Sequence, residues 1–132
     1  MKDHSIYMKS DQRPHHAPPL DLSPLLGEWF TTNPATLYLA KLHITRQEDQ
    51  LLFRGYGAGD DGLIDWGTVP ATPFASGTTE KAGGFLANYA LDGIETQLAA
   101  NYKLGVMVIQ SYTTYQDGSG RAPHFGREFF HR

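Results

Sequence analysis

The side chains suited to acid–base chemistry are few and scattered. Lys41 and His43 lie two apart, which puts both on one face of an extended strand, and His124 and Glu128 share a face of another. Glu128 sits among Phe125, Phe129 and Phe130, where an ionised carboxylate needs a partner, and Arg54 and Arg127 are the cations that would supply it. Enclosed on the inner side of a sheet, Glu128, His43 or Tyr112 would be the group to exchange a proton with a bound molecule. The competing reading is plain: Lys41, His43 and His124 face solvent, and a Glu128–arginine pair is structural.

Other chemistries lack their residues. Cysteine is absent, which removes disulfides, thiolate metal sites and cysteine nucleophiles. Ser119, in Asp117-Gly118-Ser119-Gly120, has no nucleophile-elbow pattern and reads as a turn residue. Asp60, Asp61 and Asp65 match no helix-flanked calcium loop and read as a solvated acidic segment. Gly55, Gly57, Gly59 and Gly62 precede no helix that would make a dinucleotide site. His4 with His15 and His16 is not read as a metal site, and no cofactor is expected.

These residues stand in a chain of 132 residues and 14.7 kDa, the size of one domain. Eleven Lys+Arg against 14 Asp+Glu leave a net charge of −3, with no basic excess for nucleic acid. No stretch is apolar enough to span a membrane, and no secretory leader is visible at the N-terminus. A cytoplasmic location is the expectation, since a cysteine-free chain fits a reducing compartment best.

Residues 1–24 form an expected flexible arm: they carry Pro14, Pro18, Pro19 and Pro24, three of the six histidines, and none of the 14 glycines. The arm is either a tail or a lid over one end of the domain. From residue 25 to 132 the pattern is strand, turn, strand. Residues 36–46 place Tyr38, Ala40, Leu42 and Ile44 on one face. Residues 51–57 follow, then a loop over 58–62 and a strand from Ile64 to Ala75 containing Pro70 and Pro73, which suit an edge, a bulge or a strand end. Phe85, Ala87, Tyr89 and Leu91 alternate, Asp92-Gly93 signals a two-residue hairpin, and Ile94, Thr96, Leu98, Ala100 and Tyr102 alternate again. Residues 106–116 are apolar on both faces, and 123–131 make the last strand. With residues 26–31 at the start, the pattern predicts an all-β domain of eight antiparallel strands, up and down, closed into a barrel to remove its edges.

Three segments stand out together: Leu26-Gly27-Glu28-Trp29, Ile64-Asp65-Trp66-Gly67, and Tyr115-Gln116-Asp117-Gly118-Ser119-Gly120-Arg121 followed by Arg127-Glu128-Phe129-Phe130. The set resembles a largely uncharacterised family of small single-domain proteins. Family members read L-x-G-x-W, then a D-W-G preceded by two cysteines, then D-G-S-G-R and E-x-F. The resemblance spans residues 25–132 and implies a lipocalin- or avidin-like barrel of calycin type. Gly59 and Ile64 stand where the family has its cysteines, so this chain does without whatever that pair does. The resemblance implies no activity.

Barrels of eight strands are either filled by side chains or hold one small ligand. Trp29, Tyr38, Phe53, Tyr56, Trp66, Phe74, Phe85, Tyr89, Tyr102, Tyr112 and Tyr115 spread over nearly every strand. The expected function is binding of a small, mostly apolar molecule in the lumen, lined by Trp29, Tyr38, Trp66, Tyr89, Tyr102 and Tyr112 and oriented by Arg54 and Glu128. The alternatives are a cofactor-free cyclase or isomerase working in the same lumen, and a filled barrel that associates with copies of itself through exposed aromatics.

Overall fold

The computed structural model describes residues 20–132. The histidine set His4, His15 and His16 and the lid reading of the arm fall on residues outside the described ones. Eight strands follow in chain order: β1 (Gly27–Thr31), β2 (Leu39–Gln47), β3 (Gln50–Gly59), β4 (Gly62–Ala75), β5 (Ala82–Leu91), β6 (Ile94–Lys103), β7 (Val106–Tyr115) and β8 (His124–His131). Each pairs antiparallel with the next and β8 returns to β1, so the sheet closes into the eight-stranded up-and-down barrel that the alternation pattern predicts.

Local chemistry sets the hairpins. Asp92-Gly93 (φ 53° and 78°) and Leu104-Gly105 (φ 52° and 85°) both turn with two positive φ values, the geometry that matches strand twist in a two-residue hairpin. The expected loop over 58–62 is mostly strand instead. Gly59 pairs with Gly62, leaving only Asp60-Asp61 to turn.

Register decides which residues enter the lumen. In β6 the alternating set Thr96, Leu98, Ala100 and Tyr102 points inward, as its pattern predicts. β7, apolar on both faces, sends Met107, Ile109, Ser111 and Thr113 inward and leaves Val106 and Tyr112 exposed. In β2 a bulge between Leu39 and Lys41 shifts the phase, so Leu39 joins Leu42 and Ile44 in the core in place of Ala40.

The two ends of the barrel differ. Trp29, Phe53, Phe85 and Phe130 are fully buried among Leu42, Leu51 and Met107 and fill one half. Burying each such side chain contributes roughly 1.5–3 kcal/mol. Residues 20–25, whose composition groups most of them with the arm, are built into this closed end. Leu22 and Leu25 are buried there, Leu25 accepts the Trp29 indole N–H at 3.0 Å, and Asp21 bridges to the start of β5 through Ala82 N–H at 2.8 Å. No helix among the described residues is long and apolar enough to cross a membrane.

Candidate functional site

Two ladders of the barrel stop short at the other end, and a cavity sits at each break. β4 pairs with β5 only from Ala71 to Ala75, so residues 62–70 and 88–91 have no partner in each other. Pro70, without an N–H to offer, stands where that ladder stops. A cleft of about 590 Å³ opens between them, lined by Trp66, Val69, Tyr89, Thr96, Thr113 and Tyr115 among others. β1 pairs with β8 only at Phe30 and Thr31, so the first half of β8 faces the loop before β2. A smaller cleft of about 350 Å³ lies there, with Thr36, Tyr38, His124 and Glu128 in its wall. Tyr38 borders both clefts.

Trp66 owes its place to two glycines. A Cβ on Gly57 would stand 2.6 Å from the indole Nε1, and one on Gly55 would stand 3.2 Å from Cε3. The bare face of β3 is therefore the seat on which the indole lies, and the glycines serve close approach rather than a phosphate. Tyr38 and Tyr89 flank the indole, with ring centroids 5.1 and 5.6 Å away.

Tyr89 is fixed by backbone that the sheet leaves unpaired. The β3–β4 ladder slips between Arg54 and Tyr56, next to Gly67 with its φ of 84°. The Tyr89 hydroxyl accepts the Gly55 N–H at 3.0 Å and donates to the Gly67 carbonyl at 2.7 Å, replacing the missing rung. Burial pushes its phenol up to about 12.

The wall opposite Trp66 is polar. Thr96 and Thr113 pair directly across β6 and β7, both buried, with their hydroxyls 2.9 Å apart. Above them the Arg121 guanidinium lies 3.9 Å from the Tyr115 ring centre. Its Nη2 donates to Asp117 at 2.9 Å and its Nε to the Ser119 hydroxyl at 3.1 Å. The side-chain and backbone hydrogen bonds of Ser119, then that of Arg121, hold the Asp117 carboxyl down to about 2.

The sequence-predicted residues separate into four places. Tyr38, Trp66 and Tyr89 come together in the larger cleft. Trp29 and Tyr102 are packed edge to face at 5.6 Å in the filled half. Glu128 faces the smaller cleft and accepts the Thr36 hydroxyl at 3.2 Å. Arg54, His43 and Tyr112 stand on the outer surface, because each alternates with an inward neighbour: Phe53, Leu42 and Ile44, or Ser111 and Thr113. Arg54 therefore pairs with Asp65 and not with Glu128. That pairing, with the Gly67 N–H at 2.8 Å, holds the Asp65 carboxyl at about 2. Arg127 borders the same cleft but is exposed, with its guanidinium 5.9 Å from the centre of the Phe129 ring, and Glu128 has no ion-pair partner among the described residues.

Arg121, Thr96 and Thr113 were not among the sequence candidates. The Thr pair follows from register alone once the Asp92-Gly93 hairpin and the turn at Leu104-Gly105 are fixed. Arg121 is visible only as part of a turn motif. Compared with known protein families, curated proteins and solved structures, the chain has no match in any of the three.

Proposed function

We propose that the barrel binds a small, mostly apolar molecule in the cleft between β4 and β5. The observation that carries this reading is the contrast within one lumen. Half is packed solid with Trp29, Phe53, Phe85 and Phe130, while the other half leaves about 590 Å³ against Trp66, Tyr38 and Tyr89. That volume falls within the range of small-molecule sites, which combine apolar walls with a few oriented polar groups. Titration with N-phenyl-1-naphthylamine, a neutral apolar dye, tests it. Saturable binding with energy transfer from tryptophan is expected, and Val69→Phe, which fills the cleft, should abolish it. Binding unchanged in that variant would place the dye elsewhere and defeat the reading.

Glu128 favours a second reading, a cofactor-free cyclase or isomerase. A carboxylate steadied by the Thr36 hydroxyl, lining a cleft beside Tyr38 and paired with no described cation, has the placement a general base needs. His43 and Tyr112 stand outside and would take no part. Under this reading Glu128→Gln eliminates turnover and leaves dye affinity intact.

A further inference from the structure

We infer that the molecule held in the larger cleft carries a carboxylate, received by Arg121, on an apolar body that lies against Trp66. The inference rests on the cleft being a ligand site and adds the chemistry of what it takes.

Arg121 is prepared for an anion. A guanidinium has five N–H donors in a fixed fork, and the bonds to Asp117 and Ser119 occupy two of them. Stacking on Tyr115 and anchoring by those two partners set its plane before any ligand arrives. The side chain remains half exposed at the border of the cleft, with the rest of its fork unclaimed by described residues. Such an edge matches a carboxylate bidentately.

The threonine pair beneath adds a donor. Two hydroxyls in one mutual hydrogen bond use one proton and one lone pair. The second proton has no acceptor among the described side chains. A ligand oxygen entering above Thr96 and Thr113 would receive it.

The carboxylates near the cleft do not oppose an incoming anion equally. Asp65 is turned to Arg54 and the Gly67 N–H, and Asp117 is bound to Arg121 itself. Asp92 also borders the cleft, at the exposed hairpin tip, where solvent and salt screen its charge. Away from that tip the cleft wall offers the open part of the Arg121 fork and the threonine hydroxyls, the groups a ligand carboxylate would meet.

Matched probes test this in the full chain by calorimetry: 2-naphthoate and methyl 2-naphthoate, which differ in charge and share the ring. The acid is expected to bind on the order of 10-fold or more tighter than the ester. Arg121→Gln should weaken the acid far more than the ester and so erase that difference, and Arg121→Lys should restore only part of it. Equal binding of acid and ester to the natural chain overturns the inference while the cleft reading stands. A preference for the acid that survives Arg121→Gln also overturns it. Binding of neither probe, with the dye also excluded, defeats both readings.

Discussion

The guanidinium of Arg132 lies 4.1 Å from the centre of the Trp29 ring, and from there it donates to the carbonyls of Leu26 (3.0 Å) and Pro24 (2.5 Å). One side chain thus ties the end of β8 to the turn that precedes β1 and covers the closed end of the lumen. The short β1–β8 ladder makes this tie important, since only two residue pairs join those strands. Arg132→Ala should lower unfolding stability by about 1–2 kcal/mol, from the lost cation–π stack and carbonyl bonds. Arg132→Lys, which keeps charge without the fork, should recover less than half. Urea denaturation measures both.

Tyr89→Phe removes the hydroxyl that stands in for a rung between β3 and β4. It leaves the Gly55 N–H and the Gly67 carbonyl without their partner, so a loss of about 1–2 kcal/mol is expected. Amide exchange at Gly55 should accelerate in this variant more than at neighbouring core positions. Unchanged protection there would mean that the hydroxyl closes nothing.

Thr96 and Thr113 should behave as a unit. Thr113→Val alone strands a buried hydroxyl and should cost about 1–3 kcal/mol. The double change to valine removes both polar groups at constant shape and should be nearly neutral. A double-mutant cycle reads the coupling, and additive losses would rule it out.

Stability should depend on pH at both extremes. Asp65 and Asp117 ionise near 2 in the folded chain, against an ordinary 3.8, so the folded form holds these protons less tightly than the unfolded one. Their contribution is complete above about pH 4 and lost as pH falls toward 2. Tyr89 acts in the opposite sense. Its phenol is raised from 10.0 to about 12, so its contribution is complete below pH 10 and lost between 10 and 12. Thermal melts across pH should show a plateau between these limbs. Asp65→Asn with Asp117→Asn should flatten the acid limb, and Tyr89→Phe the alkaline one.

The barrel itself was legible because period-two alternation and paired-residue turns are local signals. Asp92-Gly93 fixed one hairpin, and Thr96, Leu98 and Tyr102 fixed the inner face beside it. The site was less legible for two reasons. First, a bulge changes phase without leaving a mark in the hydrophobic pattern. Leu39 replaced Ala40 inside for that reason, and the slip at Gly55 is visible only with Gly67 and Tyr89 in place. Second, the partners that matter are distant in the chain. The phenylalanines around Glu128 call for a cation and point to Arg54 or Arg127, yet strand parity sends Arg54 out and Glu128 in. Glu128 meets Thr36, which the alternation assigns to the start of the second strand but which lies in the loop ahead of β2, since the strand begins only at Leu39.

The division of the lumen has a consequence for how this chain can change. Trp29, Leu42, Met107 and Phe130 hold the barrel shut at one end, whereas Trp66, Val69 and Arg121 face open space at the other. Substitutions at the second group alter what fits without loosening what holds, so the selectivity of the cleft is free to drift over a scaffold that stays constant.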